Sequence, residues 1–316
     1  MTSPLTGGAD AVIRVGSTSF ALASGVFDRG TRECVWRLYA WCRHCDDVTD
    51  GQVLGHGATP VSDRASRVEE LRRLSLQALH GDSSGGPPFA GLARVAAETG
   101  LPSNYVRDHL SGFEMDASGH RYQTMDDTLS YCYHVAGVVG LMMAWIMGVR
   151  DEETLVRACD LGIAFQLTNI ARDVNDDAVN RRIYVPSAWR DQADVMIVPG
   201  QPLDGATRRA MVPVVARLLD EADRYYASAW YGIARLPPRS AWAVATARHV
   251  YADIGGELRR RGAHAWDARV STTRPRKLLR LVQALGETAW AVSVGRRLTA
   301  PEREGLWTPA IRSMLR

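Results

Sequence analysis

Gln166, Asn169, Asp173 and Asp177 share one stripe of the segment LGIAFQLTNIARDVNDDAVNRRIYVP, residues 161–186. Spacings of three and four residues return to one face of a helix that turns about 100° per residue, so these groups converge. Ile163, Phe165, Leu167 and Ile170 stand beside them, which argues against an ordinary solvated face. Acids in such a setting need cations. A second segment, LYAWCRHCDDVTDG at 38–51, repeats the device with Tyr39, Arg43, Asp46 and Asp50. Two helices that each present paired carboxylates one turn apart can hold hard divalent ions between them. Mg²⁺ favours carboxylate oxygens combined with retained water and substrate phosphate, so the implied chemistry is a diphosphate gripped through bridging metal ions. Asp47 points about 100° away from Asp46 and falls outside the pair. Cys42 and Cys45 around His44 could suggest zinc, but no second pair completes four ligands, and structural thiols are the expectation.

Those stripes require facing helices, and the patterning supplies helices throughout. Residues 1–15 read as a tail. Gly16 to Phe20 offers small hydroxyls before an apolar run, a helix start whose free N–H groups could meet an anion. The first strongly patterned helix is Thr31–Asp50, with Val35, Leu38, Trp41 and Cys42 as its apolar contacts. Residues 51–62 hold three glycines and a proline and read as a loop placed where a lid would be useful. A charged helix follows over Val61–His80, then a break at GDSSGGPP (81–88). Shorter helices are expected at Phe89–Thr99 and Pro102–Met115, with a second break at 116–122.

The most apolar run, YCYHVAGVVGLMMAWIMGV (131–149), reaches the length of a membrane span. His134 within it and charges close to both ends favour a buried central helix, one that could wall a greasy tunnel. Gly137 and Gly140 would admit a close neighbour. The helix with the second acidic stripe should end near Asp177, with an irregular stretch over 190–205. Helices resume over Ala206–Ile233, where Pro213 would mark a first turn or a kink. They continue over Ser240–Arg261 and from Arg269 onward. Neither strand alternation nor a repeat period occurs, so the expected fold is a single all-α domain over 16–316.

Composition adds limits. The chain has 316 residues, ample for a sizeable core, and 38 basic against 35 acidic side chains give no case for nucleic acid. Lys277 is its only lysine, a sign of GC-rich coding that weakens any meaning placed on runs of Arg. Five cysteines do not make a disulfide framework, and a reducing compartment fits them better. The N-terminus lacks the apolar core of a secretory signal. The expectation is a cytoplasmic protein, peripheral at most on the inner face of the membrane.

YAWCRHCDDVTD (39–50), YCYHVAGVVGLMM (131–143), GIAFQLTNIARDVNDD (162–177) with RIYVP (182–186), and AWDARVST (265–272) together resemble the squalene/phytoene synthases, nearest the bacterial phytoene-forming members. The likeness runs from about residue 15 to 285. It implies an isoprenoid-synthase fold with the two acidic helices facing across a central cavity. It also implies that two geranylgeranyl diphosphates join head to head, through a cyclopropyl diphosphate, to give phytoene. The family's metal-binding acids fall on Asp46, Asp50, Asp173 and Asp177, with Asn169 adding an amide oxygen, and the cofactor expected is Mg²⁺ or Mn²⁺. Its diphosphate-binding positions fall on Ser17 and Ser19, Tyr39, Arg43, Gln166, Arg172 and Tyr251. Thr18 stands where the family often has Lys, Asp176 replaces a usual Glu, and Arg181 replaces a common Gly.

Squalene or dehydrosqualene synthesis from farnesyl diphosphate is the runner-up. No glycine-rich dinucleotide fingerprint is present, so no nicotinamide cofactor is expected. A head-to-tail elongase would usually carry a second DDxxD in place of Asp173-x-x-x-Asp177. From another class, a non-catalytic metal- or lipid-binding protein would set the 131–149 helix against a membrane. A peripheral membrane contact for product release is the partner expectation beyond the prenyl diphosphate itself.

Overall fold

The computed structural model describes residues 13, 18–52 and 63–308, with residues 18–20 by backbone alone. Apart from Ile13, which is buried, the expected N-terminal tail lies outside the described residues, as do Ser17, most of the glycine-rich loop after Asp50 and the side chains of Thr18 and Ser19. In chain order the helices are α1 (Thr18–Ser24), α2 (Arg29–Asp50), α3 (Arg64–Leu79), α4 (Pro87–Thr99), α5 (Ser103–Ser118) and α6 (Met125–Cys132). A π-helical turn, Tyr133–Gly137, leads directly into α7 (Val138–Ile146). There follow α8 (Glu152–Val179), α9 (Ser187–Gln192), α10 (Gly205–Ile233), α11 (Pro238–Arg261) and α12 (Arg274–Ser293), with short 3₁₀ turns at Gly262–Trp266 and Gly295–Arg297. No strand occurs among the described residues.

Helix α8 is the axis. The Asp151 side chain caps it by accepting from the Thr154 amide at 2.9 Å, and its 28 residues span about 42 Å. Apolar residues such as Leu155, Cys159, Ile163, Leu167 and Val174 are buried along it. Helix α10 lies along one side, α7 and the π turn along another, and α11 along a third. Two glycines set the closest approach. A Cβ on Gly162 would stand 2.1 Å from the Ala136 carbonyl oxygen, and one on Gly140 would stand 2.3 Å from that of Ala158. The close neighbour expected at Gly140 is therefore α8 itself.

Residues 125–146 are long and apolar enough to cross a membrane, but they pack against α5 and α8. Val138, Leu141 and Met142 enter the core. Val135, Ala136, Val139, Gly140 and Met143 face a cavity instead. The run is thus a buried central helix that also walls a tunnel, and it offers no free face to a bilayer.

Helix α2 buries Val35, Leu38, Trp41 and Cys45, with Trp41 Nε1 donating to Ser75 Oγ at 3.1 Å. It ends at Gly51, whose left-handed φ of 64° lets its N–H reach the Asp47 carbonyl. All five cysteines are free thiols.

Three boundaries differ from expectation. Helix α5 runs on to Ser118 because the left-handed Gly119 caps it with an N–H to the Met115 carbonyl, so Asp116 is helical instead of part of a break. Helix α8 continues past Asp177 to Val179 and leaves through Arg181 at φ 62°, a strained conformation for a side-chain-bearing residue at the position where the family often has Gly. The stretch expected to be irregular begins inside the short helix α9. Pro213 sits within α10, well past its first turn.

Candidate active site

One cavity of about 1000 Å³ collects the residues of both acidic stripes. From α2 come Tyr39, Arg43, Asp46 and Asp50; from α8 come Gln166, Asn169, Arg172, Asp173, Asp176 and Asp177; and Tyr251 comes from α11. Every candidate with a described side chain is therefore on the wall of a single hollow. Asp47 is not. Asp176, which sits beside the main stripe, lines it too.

The α2 side is partly self-neutralised. Arg43 Nη1 lies 3.4 Å from Asp46, and Arg43 Nη2 donates to Tyr39 Oη at 3.4 Å. Asp50 is bonded by Arg182, which reaches across from the turn after α8. On α8, Arg172 forms a two-pronged pair with Asp173 at 2.5 and 2.7 Å. Arg269 adds contacts to the same carboxylate at 3.1 and 3.2 Å. Asp116 accepts from Tyr131 Oη at 3.1 Å and from Tyr184 Oη at 3.0 Å.

These pairings leave an uneven charge. Burial pushes the Asp46 carboxyl up to about 7, with Arg43 pulling it down and Asp50 adding to the rise. Although 41% of that side chain's area is exposed, the exposed part faces the cavity, so its surroundings are mostly protein. Asp177 is raised well above the usual carboxylate range by burial and then by Asp173. Asp116 is raised by burial. Burial also acts upward on Asp173, but the hydrogen bonds and charge of Arg172, with Arg269 beside it, outweigh this and hold it low. Acids crowded in this way are short of positive charge.

The remaining polar atoms fit a metal-bridged anion. Asn169 Nδ2 donates to Gln166 Oε1 at 3.3 Å, which leaves Asn169 Oδ1 buried with no protein partner. The Nε donors of Arg43 and Arg182 are likewise buried and unpartnered. Among the described residues no three Asp, Glu, His or Cys side chains group tightly enough to hold a metal unaided. Such an open donor set suits Mg²⁺, which keeps waters and substrate phosphates among its ligands.

Away from the acids the wall is apolar. Val135, Val139, Met143, Leu161, Phe165 and Ile233 line it, and Tyr251 stacks on Phe165 with ring centroids 4.2 Å apart. On α8 the lining residues recur from Thr154, Arg157 and Ala158 to Asp176 and Asp177, so the cavity follows the helix. The end remote from the acids is tied down by the C-terminal segment. Arg157 donates to Ser228 Oγ at 2.6 Å and to the Pro301 carbonyl at 2.5 Å, and Arg303 clasps the buried Asp160 at 2.5 and 2.9 Å.

Asp116, Arg182 and Arg269 escaped the sequence reading as site residues. Arg182 and Arg269 lie inside RIYVP and AWDARVST, two of the stretches that carry the family resemblance, and that was the available signal. Lys277, the lone lysine, also lines the cavity from α12 and is buried.

An all-helical chamber, greasy along its length and ringed at one end by carboxylates and guanidinium groups, defines an isoprenoid-synthase type of prenyltransferase. Residues 13–276 match the family model described as squalene/phytoene synthase. A phytoene synthase from Pseudescherichia vulneris is 46% identical over 306 residues, covering 96% of this chain and 97% of its own. A 15-cis-phytoene synthase from Enterobacter agglomerans is 50% identical over 297 residues, covering 93% of this chain and 99% of its own. Among solved structures, a dehydrosqualene synthase in complex with ligand superposes with a TM-score of 0.78 at 25% identity, covering 88% of this chain and 94% of that one. A squalene synthase from Alicyclobacillus acidocaldarius, at 24% identity and TM-score 0.67 over 80% of this chain and 94% of its own, shares the fold. The chain belongs to the squalene/phytoene synthase family.

Proposed function

We propose that the chain is a phytoene synthase. Two geranylgeranyl diphosphates would join head to head through a cyclopropyl diphosphate, and two diphosphates and two protons would leave. The protons can depart on the released diphosphates. The observation that carries this reading is the meeting of two acidic helix faces at one end of an apolar cavity that follows α8. From Asp173 back to Arg157 is sixteen residues, about 24 Å of helix. An isoprene unit adds four chain bonds of about 1.5 Å, roughly 5 Å when extended, so a C20 tail reaches about 20 Å and a C15 tail about 15 Å. The longer tail uses the depth.

Asp46, Asp50, Asn169, Asp173 and Asp177 would hold Mg²⁺ or Mn²⁺, as the unpartnered Asn169 oxygen and the crowded carboxylates suggest. When bound, such ions neutralise charge gathering on a departing diphosphate. Arg43, Arg172, Arg182 and Arg269 can bind phosphate oxygens through charge-assisted hydrogen bonds, with Tyr39 and Tyr251 beside them. The apolar wall excludes water from the allylic carbocation, which water would otherwise capture. No nicotinamide is needed, because nothing is reduced on the way to phytoene. A cytoplasmic location with a peripheral membrane contact suits a lipid substrate and a hydrocarbon product.

The runner-up, condensation of farnesyl diphosphate, is favoured by the superposed dehydrosqualene synthase. Incubating purified protein with labelled C15 and C20 diphosphates and Mg²⁺, with and without NADPH, decides between them. A C40 hydrocarbon formed without NADPH is expected; an elongated diphosphate or a C30 product formed in preference would overturn the proposal.

A further inference from the structure

Helix α12 is amphipathic, yet its apolar side faces outward. Its buried positions are Lys277, Ala284, Thr288 and Ala291. Leu278, Leu279, Val282, Leu285 and Trp290 are each 49–67% exposed. At about 100° per residue these five occupy an arc of roughly 140° directly opposite the buried positions. Isolated exposed leucines are ordinary on a soluble protein, but a row of five large apolar side chains along one helix is not.

The charges around this arc are one-sided. Apart from the buried Lys277, residues 274–298 carry the exposed Arg274, Arg276, Arg296 and Arg297 and the half-buried Arg280 against a single acid, Glu287, with Arg296 turned to the Ala234 and Leu236 carbonyls. Glu287 is turned inward and bonded to His249. Asp253 on α11 is shared by Arg276 and Arg280, so it neutralises only part of the excess. Basic side chains beside a leucine- and tryptophan-bearing face complement an anionic lipid surface. A second copy of the chain would bring the same basic flanks against each other, which disfavours self-pairing.

The placement agrees with this partner. Ser271 and Thr272, immediately before α12, line the cavity, as does Lys277 on its inner side. Arg269, just upstream, bonds Asp173, so the N-terminal end of α12 lies at the acidic end of the cavity. A chain resting on α12 would therefore hold its diphosphate-type end near the headgroups.

We infer that the exposed face of α12 docks the protein peripherally on an anionic bilayer. The inference names a surface for the membrane contact suggested above, and it stands on the helix's own exposure and charge, whichever prenyl chain is consumed. The test is flotation of the full chain with phosphatidylcholine vesicles and with equimolar phosphatidylcholine–phosphatidylglycerol vesicles, at low and high salt. The wild type should partition onto the anionic vesicles, less so as salt rises. Leu278→Asp combined with Val282→Asp should lower partitioning by at least about 100-fold, whereas Met196→Asp, another exposed apolar position, should leave it unchanged. Turnover of C20 diphosphate in detergent by the double variant, compared with wild type, reports folding separately and keeps failure of the catalytic reading distinct. Absence of wild-type binding to anionic vesicles would overturn the inference, as would equal binding by the double variant. So would a solution dimer, seen by sedimentation and abolished in the double variant, without any binding to vesicles.

Discussion

Ala158→Phe should convert the cavity from one that takes C20 tails to one that takes C15 tails. Ala158 lines the cavity, fifteen residues before Asp173 on α8 and so about 22 Å from it. A benzyl group there reaches roughly 5 Å further into the hollow than a methyl, which leaves about 17 Å. A C15 tail still fits, but the terminal isoprene of a C20 tail does not. Denying burial to five carbons costs up to about 4 kcal/mol at about 0.8 kcal/mol per carbon, close to a thousandfold in kcat/KM. Bending of the tail recovers part of that. The contact between α7 and α8 at this point is made by the Ala158 carbonyl below Gly140, not by the side chain, so the fold should tolerate the change. The assay is competition between labelled C15 and C20 diphosphates with Mg²⁺, products separated by chain length and melting temperature followed in parallel. The C20-to-C15 preference should fall at least about 30-fold. A preference within about twofold of wild type, with normal melting and turnover, would refute the idea that α8 serves as the ruler.

Other expectations follow from single residues. Asp173→Asn should reduce turnover at least about 1000-fold with magnesium present and lower the melting temperature by a few degrees, because losing the charge that Arg172 and Arg269 pair with is only partly offset by relief of the crowding at Asp177; undiminished product would show that the stripe does not serve the chemistry. His109 is buried between Trp41 and Phe113, with Nδ1 3.2 Å from the His134 carbonyl oxygen, and burial lowers its pKa from 6.5 to about 4. Between those values the unfolded chain takes up a proton that the folded one refuses, so stability falls as pH drops through that window, by up to about 3 kcal/mol. In His109→Leu this part of the slope should vanish from urea-unfolding curves measured between pH 7 and 4; parallel curves for the two proteins would argue against a neutral buried imidazole. Gly162→Ala forces a methyl to 2.1 Å from the Ala136 carbonyl oxygen, backbone that cannot swing aside. A loss of about 3 kcal/mol or more is expected, and an unchanged melting temperature would mean that α8 and the π turn are less tightly held than described.

The acidic stripes were legible because their signal is local. A carboxylate repeated at helical spacing inside apolar sequence declares both a face and a need for cations, and Asp46, Asp50, Asp173 and Asp177 do share one cavity. The residues that complete their surroundings carry no such period. Asp116 belongs to the site because Gly119 holds α5 one turn longer than its composition suggests. Arg182 reaches Asp50 because Arg181 turns the chain in a left-handed conformation. Both directions are set at helix ends, where spacing rules lapse. The buried reading of residues 131–149, preferred to a membrane span because of His134 and the flanking charges, is the one the structure shows. Hydropathy alone fits either reading, since it measures preference for an apolar neighbour without saying which one, and α5 and α8 provide it. Helix α12, with a single apolar arc, keeps most of that arc exposed because it packs chiefly on α11 through its opposite side, with only Trp290 set against Trp230 of α10. The most apolar helix is thus the one the protein itself encloses, and the apolar arc left uncovered falls to a helix whose amphipathicity is only half used by the fold.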